Sequence, residues 1–108
     1  MKISDLVKVS ELTLVQPDYE DAPVSAGYTS DLLSDVMANA SEAGVLITIQ
    51  AHKNTLAVCK LLEIHSLIIC NGRETDDEFM SIAKRERVAV FVTDLNQFQA
   101  SVLIGQML

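Results

Sequence analysis

The sequence predicts a single α/β domain over residues 1–108, with a mostly parallel sheet and helices on both of its faces. A chain of 108 residues, 49% of them hydrophobic, can bury one core of its own. Aromatic residues make up 5% and Trp is absent, so the core is aliphatic, as in strands buried on both faces. From Gly44 onward, short apolar runs alternate with helical patterns.

The first half of the chain is the less regular one. A short helix is predicted from Ser4, then a strand over residues 12–15 and a polar loop that contains both prolines. A helix over residues 31–38 follows and ends before Gly44. Its apolar face is formed by Leu33, Val36, Met37 and Ala40.

The second half has a βαβαβα pattern. Strands are predicted over residues 44–49, 67–70 and 88–92, because these runs are short and rich in β-branched side chains. Asn54 can cap the first helix, Thr75 and Glu78 form a capping-box pattern for the second, and the last begins near Asn96. Crossover helices join the strands in a right-handed sense, so the strands should be parallel.

Two helical segments carry more apolar surface than one sheet needs. Residues 56–64 and 102–108 are apolar nearly all round, whereas a helix on a sheet needs only a stripe. This pattern predicts a homo-oligomer, most simply a twofold dimer that covers the surplus faces. The alternative is that one of these helices is central in the fold.

Charge and segment patterns exclude several classes of protein. The net charge is −7 and no basic run could follow a phosphate backbone, so nucleic-acid binding is not expected. No stretch approaches the roughly 18 apolar residues of a membrane span, and no export signal is seen, so we expect a cytoplasmic protein. Cys59 and Cys70 stand apart without metal-ligand spacing and are interpreted as reduced, buried thiols.

Polar residues follow each predicted strand of the second half. In an open parallel sheet, ligands bind beyond the carboxyl ends of the strands. Lys53 and Arg73, together with His52, would suit a small anionic metabolite or a nucleotide. Solvated loop ends with helix caps account for the same residues equally well. The candidate ligand-binding residues are Gln50, His52, Lys53, Asn54, Asn71, Gly72, Arg73, Thr93 and Asp94.

Catalytic signatures are not seen. The chain lacks the glycine-rich phosphate and dinucleotide loops, the esterase elbow and the zinc-protease helix motif, so no catalytic residue, metal ligand or cofactor is predicted. A nucleophilic pair of Cys70 with His52 is the remaining enzymatic alternative. The acidic residues 76–78 are interpreted as the first turn of a helix, where the macrodipole favours carboxylates, rather than as a metal site.

Three segments resemble the DRTGG-domain proteins: GYTSDLLSDVM at residues 27–37, ITIQAH at residues 47–52 and IICNGRE at residues 68–74. The resemblance covers nearly the whole chain, although the motif that names the family is not present; its charged part would fall on residues 52–55, which are His-Lys-Asn-Thr here. It implies a stand-alone regulatory, dimerising module without catalysis of its own, with a fold similar to the N-terminal domain of HPr kinase/phosphorylase. A protein–protein scaffold that binds no ligand is the alternative function.

Overall fold

The computed structural model describes residues 1–40 and 43–108. Numbered in chain order, the helices are α1 (Ile3–Val7), α2 (Leu33–Asn39), α3 (Lys53–Leu61), α4 (Asp77–Glu86) and α5 (Gln97–Met107). The strands are β1 (Thr13–Gln16), β2 (Gly27–Thr29), β3 (Val45–Thr48), β4 (Ser66–Ile69) and β5 (Ala89–Val92).

The five strands form one sheet in the order β1-β5-β4-β3-β2. Strands β2 to β5 are parallel neighbours, and β1 pairs with β5 in the antiparallel sense. The predicted α/β class and parallel βαβαβα unit are therefore confirmed. The parallel unit also starts one strand earlier than predicted, with β2. The sequence did not indicate this strand because it has only three residues, lies at the sheet edge and lacks an apolar run.

The helices form two layers around the sheet. Each crossover from β2 to β5 moves one strand in the same direction, so a constant right hand places α2, α3 and α4 on the same face. The core on that face joins Leu46 and Leu67 of the sheet to Leu56 and Phe79 of the helices. Helices α1 and α5 cover the other face, in a second core. Strands β3 and β4 are buried on both sides as a result.

Helix α3 lies between α2 and α4. Its apolar residues Leu56, Val58 and Cys59 are buried within this chain, although Leu61 remains 64% exposed. The alternative that one apolar helix is central is therefore correct for α3. Helix α5 is different: Ala100 faces the core, while Phe98 is 76% exposed on the outer side.

Two helix starts differ from the predicted caps. Helix α3 is capped by His52, whose Nδ1 accepts the Asn54 N–H at 3.1 Å, so Asn54 lies inside the first turn. Helix α4 is capped by Asp76, whose carboxylate accepts the Phe79 N–H at 2.8 Å. A carboxylate is a stronger acceptor than the predicted Thr75 hydroxyl, which accounts for the shift by one residue.

Within the described parts of the chain, no helix has both the length and the apolar character needed to cross a membrane.

Candidate functional site

The three predicted loops meet at one edge of the sheet. Strands β3, β4 and β5 are adjacent and parallel, so their carboxyl ends point the same way. We call the nine predicted binding residues at this edge the carboxyl rim. Eight of them are exposed to solvent, and Thr93 is buried.

The loops after β4 and β5 leave the sheet toward opposite faces, because α4 and α5 belong to different layers. Such a divergence creates the binding crevice of open α/β sheets. Here the two loops are joined to each other: the Asn71 N–H donates to the Leu95 carbonyl and the Gly72 N–H to the Thr93 carbonyl, both at 2.9 Å. The base of the crevice is therefore closed by backbone hydrogen bonds.

The Asn71-Gly72 pair forms the tight turn that the sequence predicted. Both residues have left-handed backbone, with φ of 63° and 62°, and the Arg73 N–H reaches back to the Cys70 carbonyl at 3.4 Å. Asn and Gly are the residues that such turns favour. A Cβ at Gly72 would lie 2.9 Å from Asp94 Oδ1, so glycine also permits the close approach of the two loops.

The charges at the carboxyl rim are mixed. Lys53 Nζ lies 3.7 Å from Glu78 Oε1, so the lysine is partly neutralised. Asp94 belongs to the rim itself, and further carboxylates stand at residues 74, 76 and 77. Among the described residues, Arg73 makes no salt bridge. Arg73 is therefore the rim cation with the most freedom to meet an anion.

Asp31 organises the rim, and sequence reasoning did not select it. Its Oδ1 accepts hydrogen bonds from Thr48 Oγ1 at 2.7 Å, from the Ile49 N–H at 2.9 Å and from Gln97 Nε2 at 2.8 Å. The carboxylate thus joins the end of β3 to the start of α5. An acidic residue just after a strand is a recognisable signal, but β2 had not been predicted, so Asp31 was assigned to a helix.

The cysteines offer little nucleophilic character. Burial, and then the negative charge of Asp31, raise the pKa of the Cys70 thiol to about 11. Burial raises the pKa of Cys59 to about 12. A thiol with a pKa of about 11 is almost entirely protonated near neutral pH, so Cys70 is not an activated nucleophile for the predicted pair with His52. In residues 1–40 and 43–108, no group of three or more His, Cys, Asp and Glu side chains is placed to hold a metal ion.

The surface hollows are found at both ends of the sheet. One of about 350 Å³ lies beside the rim, toward β1, and is lined in part by Glu11, Thr93 and Asp94. Two others lie at the carboxyl ends of α3 and α4, and a third follows the groove between these helices from the first turn of α3 onward. Lys53 and Asn54 line one of these and not the hollow beside the rim. The predicted site residues therefore share an edge of the sheet without lining one common pocket.

No protein-family model matches the sequence, and no curated protein matches it either. The fold is similar to the crystal structure of the CBS and DRTGG domains of the regulatory region of Clostridium perfringens pyrophosphatase, complexed with its activator diadenosine tetraphosphate. The two share 19% sequence identity at a TM-score of 0.75. The match covers 98% of this chain and 46% of that chain, so this chain spans less than half of the neighbour's length. The DRTGG-like fold expected from the sequence is supported.

Proposed function

We propose that this protein is a non-catalytic regulatory module that binds a small anionic ligand, such as a nucleotide, at the carboxyl rim. The likeness in fold to a pyrophosphatase regulatory region, crystallised with a nucleotide activator, is the observation that carries the proposal. That region contains CBS as well as DRTGG domains, so the likeness in fold does not by itself place a ligand on this chain. The polar and charged residues of the carboxyl rim supply the position proposed for the ligand on this chain.

Arg73 is the principal ligand-binding residue in this proposal. The hydrogen-bonded turn at Asn71-Gly72 fixes its backbone, and its guanidinium can donate two parallel hydrogen bonds to one phosphate or carboxylate group. Lys53 adds a second cation from the first turn of α3. A ligand held by both residues would join the loops after β3 and β4.

Binding at the rim would be transmitted to α5 through Asp31. The loop after β3 and the first turn of α5 share the Asp31 carboxylate as acceptor, through the Ile49 N–H and Gln97 Nε2. A change in the loop after β3 would therefore alter the contact that holds α5. This coupling gives a non-catalytic module a means of reporting on a ligand.

Thermal-shift measurements against nucleotides and phosphorylated metabolites test the proposal. We expect at least one compound to raise the melting temperature of the wild type and to lose most of this effect in Arg73→Ala. Lys84→Ala is the matched control, because Lys84 is an exposed cation in the last turn of α4, away from the rim. A flat response to the whole panel would contradict a ligand-binding function.

Self-association is the second candidate function, and α5 favours it. The 11 residues of this helix contain no charged side chain, although the protein carries a net charge of −7. Phe98 and Val102 are 76% and 43% exposed on one side of it, and Leu108, which directly follows the helix, is 51% exposed. A Cβ at Gly105, on the same side, would meet nothing within 4 Å, so a second helix could approach closely there. The predicted homodimer would therefore use α5 and not α3.

A further inference from the structure

Strand β2 leaves one edge of the sheet open. It is the last strand in the order β1-β5-β4-β3-β2, so no strand of the described chain lies beyond it. The Ser30 N–H donates to the Ile47 carbonyl of β3 at 3.2 Å, and backbone groups alternate in direction along a strand. The N–H and C=O groups of Gly27 and Thr29 therefore point away from β3, where a further strand could meet them.

The two edges of the sheet differ in their protection. At the other edge, β1 shifts its register between Leu14 and Gln16, as at a β-bulge, and Pro17 follows directly. Bulges and prolines are devices that discourage pairing at a sheet edge, and so are charged side chains. Strand β2 has no bulge, proline or charged residue, and its restraint is a length of three residues. Pairing at this edge therefore needs support from a neighbouring surface.

Helix α5 supplies such a surface beside β2. Ser101 Oγ lies 2.7 Å from Thr29 Oγ1, which fixes the side of α5 that faces this edge. Phe98 precedes Ser101 by three residues and Gly105 follows it by four, so both lie on that side of the helix. Phe98 is 76% exposed, and a Cβ at Gly105 would meet nothing within 4 Å. We call β2 together with Phe98, Ser101 and Gly105 the β2–α5 surface.

One symmetry operation can cover both parts of this surface. A twofold axis perpendicular to the sheet would pair β2 with β2 of a second copy and keep the two α5 helices on the same face. Helix α5 packs on both β2 and β3, so its axis lies about half a strand spacing inside β2. The two α5 axes would then be about two strand spacings, or about 9.6 Å, apart. Packed helices lie about 8–10 Å apart, so the helices would be in contact.

We propose that a second copy of this chain docks on the β2–α5 surface, with β2 antiparallel to β2 and α5 beside α5. Gly27 would exchange two backbone hydrogen bonds with Thr29 of the partner subunit, and the symmetry repeats this pair. Tyr28 would meet Tyr28 of the partner subunit on the opposite face of the sheet, the face on which its hydroxyl donates to Asp35 of α2 at 2.9 Å. This arrangement rests on the self-association proposed for α5 and names the surface and symmetry that it uses.

A second copy fits this surface better than a strand from another protein. An isolated strand would fill the edge and leave Phe98 and Gly105 uncovered, whereas the second copy brings a helix as well as a strand. Residues 22–30 and 95–108 contain no charged side chain, although the chain has a net charge of −7. Two acidic copies can therefore meet here without bringing like charges into direct contact.

Proline at residue 29 tests the strand pairing. Thr29→Pro removes an N–H that does not point toward β3, so the sheet within one copy should still form, as cooperative melting would show. We expect the dissociation constant of the dimer, measured by sedimentation equilibrium, to rise at least about tenfold, because the symmetric contact loses two hydrogen bonds. Thr29→Val is the matched control. It also loses the hydroxyl contact with Ser101 but keeps the N–H, and its dissociation constant should stay within about threefold of the wild type.

Disulfide formation tests the register. A non-hydrogen-bonded antiparallel pair has its Cα atoms about 4.5 Å apart, within reach of a disulfide. We expect Tyr28→Cys to give a covalent dimer with oxidised glutathione on a non-reducing gel. Leu61→Cys, at a position that is 64% exposed on α3, should not. The native Cys59 and Cys70 are buried and need no replacement.

The possible failures can be told apart. A dimer that Phe98→Ser dissociates, but that Thr29→Pro leaves as tight as Thr29→Val does, would keep the α5 contact and overturn the β2 pairing alone. Absence of the disulfide in a Tyr28→Cys protein that still sediments as a dimer would overturn the pairing in the same way. A wild-type monomer would contradict self-association itself, and this arrangement with it.

Discussion

At the scale of single residues, the presence of glycine at residue 44 is explained by a close contact with the backbone of residues 23 and 24, more than by its position after a helix. A Cβ at this position would lie 2.5 Å from Val24 Cα and 3.0 Å from the Pro23 carbonyl oxygen. The Gly44 N–H also donates to the Ala26 carbonyl at 2.8 Å, which holds the two segments together. Any side chain at residue 44 must push the segment at residues 23–26 away from β3.

Gly44→Ala should therefore lower the free energy of unfolding by about 1–3 kcal/mol, the usual cost of overpacking. Urea denaturation followed by circular dichroism measures the loss. Gly105→Ala is the matched control when both glycine variants are made in the Phe98→Ser background, which weakens the proposed dimer contact: its Cβ would meet nothing within 4 Å of the chain, and alanine in a helix should add up to about 1 kcal/mol. Equal stability of Gly44→Ala and the wild type would show that residues 23–26 can move away from β3 without lowering the free energy of unfolding.

The two thiols should resist alkylation in the native protein. Their pKa values of about 11 for Cys70 and about 12 for Cys59 leave almost no thiolate at pH 8. We expect iodoacetamide to modify neither at pH 8 in buffer and both in guanidinium chloride, as seen by mass spectrometry. Rapid labelling of Cys70 without denaturant would revive the nucleophile hypothesis.

The same pKa shifts set a limit to stability in alkali. Both pKa values are raised above the ordinary 9.0, so the protonated thiols favour the folded state fully below pH 9. As the pH rises from 9 toward 11 and 12, ionisation of the unfolded thiols should lower the free energy of unfolding. Cys70→Ala should show a shallower decline over this interval, measured by denaturation at stepwise pH.

At the scale of elements, α3 and α5 show how one apolar pattern has two explanations. Helix α3 is covered by α2 and α4 on its flanks and by the sheet below. Helix α5 packs on β2 and β3 with Ala100 and Ile104 inward, and no described helix covers Phe98 or Val102. The spacing of apolar residues predicts surplus apolar surface on both α3 and α5. It does not show that α3 has helices on both sides, which bury most of its apolar residues.

The α5 face should therefore control self-association. We expect Phe98→Ser to convert a dimer into a monomer at micromolar concentration, because it removes the most exposed aromatic side chain of the face. Analytical ultracentrifugation measures the change. Leu61→Ser on α3, which replaces a side chain that is 64% exposed, is the matched control and should remain dimeric. A wild-type monomer at these concentrations would contradict the dimer.

At the scale of the whole molecule, the charge is strongly unbalanced, with fifteen acidic against eight basic residues. Two copies that meet through α5 bring together helices without charged side chains, but each copy still has a net charge of −7. Repulsion between the copies acts over about 10 Å at 0.1 M salt and over about 30 Å at 0.01 M. Ionic strength should therefore govern association more than it governs the fold.

We expect the dimer dissociation constant to fall severalfold when sodium chloride is raised from about 0.01 to about 0.5 M, because screening weakens this repulsion. Sedimentation equilibrium across the series measures it. A dissociation constant that rises with salt would indicate an interface made of ion pairs, and would exclude the uncharged α5 face.

The sequence predicts the order of elements well and the site only in part. Buried β-branched runs specified β3, β4 and β5, since strands covered on both faces have one pattern whatever their neighbours. Edge strand β2 has no such pattern, and with it the role of Asp31 was missed. The contacts between Asn71 and Leu95, and between Gly72 and Thr93, join loops that are distant in sequence, so neither could be foreseen.

The cluster of titratable residues at the carboxyl ends of α3 and α4 was missed for a related reason. Lys60, His65, Arg85 and Arg87 follow no sequence motif, and they come together only because α3 and α4 are neighbouring crossover helices that end at the same edge. The fold thus brings together charges that are dispersed along the chain.

The antiparallel pairing of β1 with β5 has a consequence for synthesis on the ribosome. Thr13 pairs with Val92, so β1 leaves the exit tunnel well before the strand with which it pairs. Strands β2 to β5 pair with neighbours that follow in chain order and can assemble as they emerge. Until β5 is synthesised, β1 has no partner strand, and an unpaired strand can pair with other chains and promote aggregation.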